Sequence, residues 1–250
     1  MYKVERQKLL LNFLQTKEMF NMNEIMEFVK PYHIKYVLLR RDLQELAAKN
    51  YITLSYGVVK WNNKVSVEDT SRLEKLNINY EAKKIIAKTA QQLIDDKDVI
   101  FVGAGTTCEE FVRQITKYVK IITNSKFVYE EALKNEHIAD AVLLGGRLRE
   151  RSGAFIGTFT EKALEIETFY KAFISVTNVD MEGKLYNNNE TEASLETKVL
   201  DMASISYIIS DSSKFNSIGF FDFYHAKDID YFVCEKLPEI SAEFKNKFII

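Results

Sequence analysis

The sequence is poor in cysteine and has no long apolar run. Its two cysteines are Cys108 and Cys234, and two thiols so far apart offer neither the density of a disulfide scaffold nor the spacing of a metal site. We therefore expect buried thiols in a reducing compartment and no bound metal. No stretch reaches the roughly 18 apolar residues of a transmembrane helix, and the charged start MYKVERQ lacks the apolar core of a signal peptide. These absences predict a cytoplasmic protein with no membrane partner.

Charge is distributed unevenly along the chain. The formal net charge is −2, from 34 Lys+Arg and 36 Asp+Glu. Residues 1–61 hold ten of the basic and six of the acidic residues, a net of +4, so the remainder holds 24 and 30, a net of −6. A small basic unit joined to a larger acidic one fits a nucleic-acid-binding head on a body with a different role.

The first 61 residues show three helical patterns followed by a hairpin pattern. Apolar residues recur at helical spacing in the first three segments, and the last two are β-branched and aromatic runs that flank Gly57. The segments are residues 4–17, 24–29, 35–47, 51–54 and 58–61. Asn23 is the expected N-cap of the second helix. Three short helices and a β-hairpin predict a winged helix-turn-helix.

The third predicted helix has two contrasting sides. One side has leucines spaced as a core stripe, and another has polar and aromatic side chains. A short helix of this kind fits a DNA major groove, which admits an α-helix. An ordinary amphipathic surface helix would show the same pattern, so the helix alone leaves both interpretations open. The leucine side consists of Leu39, Leu43 and Leu46, and the polar and aromatic side consists of Tyr36, Arg40, Arg41 and Gln44.

The rest of the chain alternates helical patterns with short apolar runs. Residues 62–78 are polar and mixed in charge, and we interpret them as a linker that is partly helical towards its end. Residues 79–250 then predict a mostly parallel α/β sheet covered by helices, and this domain completes an α/β protein. Predicted strands are residues 99–102, 120–123, 141–144, 171–176, 206–210 and 231–234, and predicted helices include 109–118, 128–135, 160–167, 192–202 and 240–247.

Four predicted strands end in small, hydroxylated or cationic residues. Ligands of open α/β sheets bind beyond the carboxyl ends of the strands, and a helix N-terminus there binds anions. These ends therefore suggest a small hydroxylated anion, for which a sugar phosphate is the natural candidate. A capped tight turn and a solvated arginine face are the alternatives for the first and third ends. The residues are Gly105, Thr106 and Thr107; Asn124 and Ser125; Gly146 and Arg147; and Lys214.

The motifs at these positions, taken in order, resemble those of the DeoR family of transcriptional regulators. The resemblance covers nearly the whole chain. In the head it rests on Glu5-Arg6, Arg40-Arg41-Asp42-Leu43 and Glu45-Leu46. In the body it rests on Gly105-Thr106-Thr107, Thr123-Asn124-Ser125, Gly145-Gly146-Arg147, Asn189-Glu190-Thr191-Glu192-Ala193 and Asp211-Ser212-Ser213-Lys214-Phe215. The family usually has serine and threonine where Lys35 and Leu38 stand, and a His-Gly-Gly-Ala wing where this chain has Tyr56-Gly57-Val58-Val59.

The resemblance implies a DNA-binding repressor of a sugar operon. It implies a winged helix-turn-helix in residues 1–61, with Lys35, Tyr36, Arg40, Arg41 and Tyr56 on DNA and Asp42 holding an arginine. It also implies a sensor domain in residues 79–250, similar to ribose-5-phosphate isomerase and the CoA transferases, without a cofactor or catalytic residues. A phosphorylated sugar would bind near the strand-end residues named above and Glu192. Paired heads match paired half-sites, which favours a homodimer or homotetramer.

Two alternatives remain open. An isomerase or deaminase of the same fold would use Glu192, Asp211 and Lys214 as acid–base groups. That enzyme would not need a basic head, and neither His137 nor His225 is paired with a nucleophile in the sequence pattern, so we favour the repressor. The other alternative is a family member that has lost DNA binding, because Leu38 and the altered wing depart from the family.

Overall fold

A computed structural model describes residues 1–63, 65 and 70–250 of the chain. It divides into two compact units, Met1–Glu68 and Asp69–Ile250. Lys64 and residues 66–69, which belong to the predicted linker, lie outside the described residues. Within the described part we find no helix with the length and hydropathy of a membrane span.

The first unit contains the three predicted helices and the predicted hairpin. The hairpin is part of an antiparallel sheet of order β1-β3-β2, whose strand β1 the sequence did not predict. The elements are α1 (Lys3–Leu14), β1 (Met19–Asn21), α2 (Met22–Val29), α3 (Tyr36–Ala48), β2 (Ile52–Ser55) and β3 (Val58–Trp61). Leu39, Leu43 and Leu46 of α3 are buried, which confirms the leucine stripe as core.

The N-cap of α2 is Asn21, and the prediction of Asn23 was wrong. The Asn21 side chain accepts a hydrogen bond from the Glu24 backbone N–H at 2.9 Å, and the Glu24 carboxylate accepts one from the Asn21 N–H at 2.8 Å. This reciprocal capping box satisfies two backbone donors at the helix start. It requires a spacing of three residues to an acidic side chain, and Asn21 has this spacing whereas Asn23 does not.

The second unit alternates helices and strands. Its helices are α4 (Arg72–Lys75), α5 (Tyr80–Ala90), α6 (Thr106–Gln114), α7 (Lys126–Ala132), α8 (Thr158–Leu164) and α9 (Glu190–Met202). Its strands are β4 (Val99–Val102), β5 (Val119–Thr123), β6 (Ile138–Leu143), β7 (Arg147–Arg149), β8 (Ala154–Ile156), β9 (Lys171–Ile174), β10 (Asn178–Val179), β11 (Lys184–Asn187), β12 (Ile205–Ile209), β13 (Phe221–His225), β14 (Tyr231–Val233) and β15 (Phe248–Ile249).

A seven-stranded parallel sheet of order β15-β14-β12-β9-β4-β5-β6 forms the centre of this unit. Both of its faces are buried, as the apolar run of β4 indicates. Ile100 and Val102 pack with Phe111 of α6 on one face, and Phe101 packs with Leu195 of α9 on the other. The six predicted strands are therefore present, and the predicted α/β class with a mostly parallel sheet is confirmed.

The structure adds β-elements that the sequence did not predict. Strands β7 and β8 form an antiparallel pair, and β10, β11 and β13 form a small antiparallel sheet. The predicted helix over residues 240–247 is a 3-10 helix, Ala242–Lys247. Helix α6 begins at Thr106, three residues before its predicted start, because the chain turns into the helix directly at Gly105.

Candidate functional site

A cavity opens at the carboxyl ends of β4, β9 and β12 in the second unit. Its lining includes Gly105, Thr106 and Thr107 after β4, residues 175–177 after β9, and Asp211 with Lys214 after β12. Parallel strands bring these loops to one edge of the sheet, which is where open α/β sheets bind ligands. The start of α9 and the loop that follows β7 complete the wall.

The N-terminus of α6 forms one part of the lining. Gly105 is the N-cap, with a φ of +150°, and no side chain caps the helix. A Cβ at Gly105 would lie 3.0 Å from the Cβ of Ser175, so glycine allows two strand-end loops to approach each other. The first backbone N–H groups of a helix lack intrahelical partners. The N–H groups at Thr106 and Thr107 therefore offer positive partial charge to an anion.

Positive side chains outnumber negative ones in the cavity lining. Three lysines line the cavity, and the ammonium group of Lys214 makes no hydrogen bond or ion pair among the described residues. Lys83 is buried and donates from Nζ to the backbone carbonyl of Lys75 at 2.5 Å, and burial lowers the pKa of Lys83. The full set is Arg72, Lys75, Lys83, Arg149, Arg151 and Lys214 against Glu192, Glu196 and Asp211. This balance favours an anionic ligand.

Two carboxylates of α9, one helical turn apart, face the same cavity. Glu192 accepts a hydrogen bond from Arg149 Nη1 at 3.1 Å and one from the hydroxyl of Ser152. Glu196 instead accepts from the side-chain amide of Asn187, at 3.0 and 2.9 Å to its two oxygens. Burial and the neighbouring Glu192 raise the pKa of Glu196 to about 8. Carboxyl and amide groups of this kind can bind the hydroxyl groups of a ligand.

The structure brings together five of the nine predicted effector residues: Gly105, Thr106, Thr107, Glu192 and Lys214. The other four lie outside the lining, each for a physical reason. The Asn124 amide donates to the Phe155 carbonyl at 3.1 Å, and the Ser125 hydroxyl caps α7 at Val128 N, at 3.3 Å. Gly146 packs against Thr160, and Arg147 is exposed on β7. The strand-end argument therefore covered a wider area than the lining of this cavity, and the effector site stays a prediction.

Most of the cavity lining was not predicted from the sequence, including the charged residues Arg72, Lys83 and Glu196. Arg72 comes from α4, Lys83 from α5 and Glu196 from the second turn of α9. None of them follows a strand, so inspection of strand ends could not find them. The available signal was helical spacing, because Glu196 lies four residues after the predicted Glu192 and shares its face.

The first unit has a groove between α3 and the β2–β3 hairpin. Its lining includes Tyr36, Arg40, Gln44 and Tyr56. Arg40 is exposed and has no ion pair in the described part of the chain, and Tyr56 is fully exposed at the hairpin turn. The other two predicted DNA-binding residues are also exposed, Lys35 at the N-cap of α3 and Arg41 beside Arg40. The structure thus places all five on the surface, with three of them around this groove.

Asp42 of α3 is buried and binds an arginine, as predicted, but that arginine is Arg6 of α1. Arg6 Nη2 donates to Asp42 Oδ1 at 3.0 Å, and Arg6 Nε donates to Asp42 Oδ2. The hydrogen bond that Arg6 donates to the Asp42 carboxylate raises the pKa of Arg6. Arg40 and Arg41 are therefore not used to neutralise Asp42, and both stay exposed, with Arg41 Nε 3.5 Å from the Glu45 carboxylate.

The two histidines considered for catalysis lie elsewhere. His137 contacts the side-chain oxygen of Asn135, and His225 Nδ1 accepts a hydrogen bond from the Lys227 N–H at 3.1 Å. Neither lines the cavity at the strand ends.

Asp211, the third acidic lining residue, accepts hydrogen bonds from the Asn79 amide at 2.9 Å and from the Ser213 hydroxyl. In the described residues no cluster of three or more His, Cys, Asp or Glu could hold a metal ion.

Comparison with known proteins gives the following similarities. Residues 78–236 match the DeoR C-terminal sensor domain. The lactose phosphotransferase system repressor of Staphylococcus epidermidis is 32% identical over 206 residues, which cover 82% of each protein. The repressor of the same name from Streptococcus mutans is 29% identical over 250 residues, 99% of this chain and 98% of that one. Ribose 5-phosphate isomerase A from Methanocaldococcus jannaschii has a TM-score of 0.41 and 21% identity, and the match spans 55% of each chain.

Proposed function

This chain belongs to the family defined by the DeoR C-terminal sensor domain, and from that premise we propose that it is a DNA-binding repressor of a sugar-metabolism operon, controlled by a phosphorylated sugar. Its relatives carry the repressor role in their names. The observation that supports the effector class is the cation-rich cavity at the carboxyl ends of the parallel strands. In this proposal the chain has no catalytic role, cofactor or metal.

We assign the phosphate of the effector to the α6 end of the cavity. The Lys214 ammonium, which has no partner among the described side chains, and the first N–H groups of α6 would supply donors and positive charge there. We assign the sugar hydroxyls to the α9 end, where Glu192, Glu196 and Asn187 supply acceptors and one amide donor. A ligand that satisfies both ends must carry an anion at one terminus and hydroxyls along the rest.

We assign DNA binding to the first unit, as a winged helix-turn-helix. Helix α3 would enter the major groove, and the β2–β3 hairpin would be the wing that contacts the backbone. The surface arginines Arg40 and Arg41 and the aromatic Tyr36 and Tyr56, with Lys35 at the start of α3, support this assignment. Two heads of a homodimer or homotetramer would bind paired half-sites of double-stranded DNA.

The effector assignment is tested with Lys214→Ala and a panel of hexose 6-phosphates. A thermal shift of the purified full chain is recorded with each sugar phosphate and with the matching unphosphorylated sugar. At least one sugar phosphate should stabilise the wild type and lose roughly ten- to a hundredfold in affinity for Lys214→Ala, the effect of removing one charge-assisted hydrogen bond.

Lys236→Ala is the matched control, because Lys236 is an exposed lysine outside the cavity lining. It should bind the sugar phosphate as the wild type does. Equal affinity of Lys214→Ala and wild type would contradict the phosphate assignment. Chemical turnover of a sugar phosphate by the purified chain would contradict the non-enzymatic role.

A further inference from the structure

The first turn of α3 exposes three consecutive apolar side chains. The exposed fractions are 47% for Tyr36, 76% for Val37 and 42% for Leu38. Leu54 and Tyr56 on the hairpin are exposed as well. Large apolar groups that are exposed together on one surface commonly mark an interaction site. Core packing does not explain these residues, because the buried side of α3 is the leucine stripe.

Val37 lies on the same face of α3 as two polar residues whose side chains can recognise DNA bases. Val37, Arg41 and Gln44 follow one another at i, i+4 and i+7, so they share one face of α3. Arg and Gln form bidentate hydrogen bonds with guanine and adenine in the major groove, and apolar side chains contact the C5-methyl group of thymine. In helix-turn-helix proteins the N-terminal residues of this helix contact the base edges, and Val37 is the second residue of α3.

We propose that Val37 is a specificity-determining residue that contacts a thymine C5-methyl group in the operator. The inference rests on the proposed DNA-binding function. The occupant is DNA because the apolar side chains are flanked by Lys35, Arg40 and Arg41, all of them exposed cations suited to phosphate.

The test uses duplexes that the wild type selects from a random library. Each thymine of a selected duplex is then replaced in turn by uracil, which lacks only the methyl group. At one position per half-site we expect about a fourfold loss of wild-type affinity, the effect of exposing one buried methyl group. Val37→Ala should bind the thymine and uracil duplexes equally at that position. Val4→Ala, which truncates an exposed valine of α1, should behave as the wild type.

The possible outcomes separate the inference from the proposed function. If the wild type retains no duplex, the DNA-binding function is wrong. If it binds but no uracil replacement weakens binding, the thymine contact is wrong. If the uracil effect persists unchanged in Val37→Ala, another residue reads the methyl group and the inference is overturned.

A second inference comes from an independent observation on α4, the first helix after the head. Arg72 donates from Nε and Nη2 to the two carboxylate oxygens of Glu109 at 2.8 and 2.7 Å, and its guanidinium lies 3.6 Å from the ring centroid of Phe127. Glu109 is buried in α6, the helix whose N-terminus lines the cavity. At the other end of α4, the backbone carbonyl of Lys75 accepts a hydrogen bond from Lys83 Nζ of α5.

Arg72 and Lys75 of α4 also line the cavity, together with Thr70 and Ile78 on either side of the helix. A ligand at the N-terminus of α6 would therefore act on the segment that joins the sensor unit to the head. We infer that α4 transmits effector binding to the head through the Arg72–Glu109 ion pair. This inference, too, rests on the proposed function.

Glu109→Gln tests the transmission without changing a lining residue, since Glu109 is outside the lining. The measurements are affinity for a hexose 6-phosphate, affinity for a selected duplex, and the fold-change in duplex affinity that the sugar phosphate causes. We expect both affinities to stay within about threefold of wild type. The fold-change, typically 5 to 150 in allosteric proteins, should fall at least fivefold or to unity.

Asp140→Asn is the control, because Asp140 of β6 pairs with Lys120 of β5 and takes no part in the ion pairs of Glu109 with Arg72 and Arg113. It should keep the wild-type response. If Glu109→Gln does not fold stably, the same measurements are made on Phe127→Leu, which removes the aromatic ring that Arg72 packs against. A wild-type response in the folded variant would overturn the transmission role. A wild type that binds DNA without any response to a sugar phosphate would instead contradict the proposed function.

Discussion

Arg6 of α1 and Asp42 of α3 form a buried two-pronged ion pair inside the first unit. The Asp42 side chain is 1% exposed and the Arg6 side chain 13%. The pair fixes α1 against the back of α3 while the opposite side of α3 stays exposed. Removal of one member of such a pair leaves a buried charge without a partner, which costs more than the net contribution of the pair.

Asp42→Ala should therefore destabilise the first unit by about 3–5 kcal/mol. The single tryptophan, Trp61, is buried in β3 and reports on this unit alone. Guanidinium unfolding followed by its fluorescence gives the change in free energy. Glu27→Ala is the control, because Glu27 and its ion-pair partner Lys30 are both exposed, and it should cost less than about 1 kcal/mol. A change below 1 kcal/mol for Asp42→Ala would contradict the stabilising role.

Arg40→Ala and Arg41→Ala should weaken DNA binding in a salt-dependent way. Each contact with a phosphate contributes about −0.9 to the slope of log affinity against log salt. The double variant should show a slope shallower by about one to two, with its largest loss of affinity at low salt. Retention of a selected duplex from 50 to 200 mM salt measures this slope. Lys97→Ala, an exposed lysine in the second unit, should leave it unchanged, and an unchanged slope in the double variant would exclude both arginines as phosphate contacts.

The sequence predicted those helices and strands in which buried residues recur at a regular spacing along the chain. Val99–Val102 is apolar at every position because both faces of the sheet are covered, and the Leu39, Leu43 and Leu46 stripe is buried in the same way. Such patterns depend on neighbouring residues only. The β7–β8 pair was missed because two strands of three residues carry too little pattern.

The cavity could be predicted in part for a related reason. Gly105 and Lys214 follow strands, so topology alone brings them to one edge of the sheet. Arg72 and Lys83 lie on helices α4 and α5, which precede β4. The spacing of residues within these helices does not show where the helices pack against the sheet. Asn124 looked equally suitable in sequence, yet its amide binds the Phe155 carbonyl of the neighbouring β8 strand, which the sequence did not predict.

Gly146→Ala should destabilise the second unit by about 1–3 kcal/mol, the usual cost of overpacking. A Cβ at Gly146 would lie 2.0 Å from Thr160 Oγ1, and its φ of +148° favours glycine. The adjacent Gly145→Ala is the matched control, because a Cβ there has no atom within 4 Å. Thermal unfolding of the wild type and of both variants measures the change in stability that each substitution causes. Equal stability, with loss of sugar-phosphate affinity in Gly146→Ala, would instead favour a direct role in the ligand site.

Glu196 should make the second unit less stable as the pH rises. Burial and Glu192 raise its pKa from 4.5 to about 8 in the folded chain, with Asn187 donating to it and the Lys75 charge opposing the shift. Between these two pH values the folded state keeps a proton that the unfolded state has lost. The free energy of unfolding therefore decreases with increasing pH, by at most about 1.4 kcal/mol per pH unit.

Glu196→Gln removes this titration and keeps a side chain of the same shape. Its unfolding free energy should change less than that of the wild type between pH 6 and pH 8, and the variant should be the more stable of the two at pH 8. Guanidinium unfolding followed by far-UV circular dichroism at several pH values measures both slopes. Glu136→Gln, at an exposed glutamate, should keep the wild-type slope. Parallel wild-type and Glu196→Gln curves across this range would mean that Glu196 is ionised in the folded chain, and the α9 end of the cavity would then carry two negative charges facing the ligand.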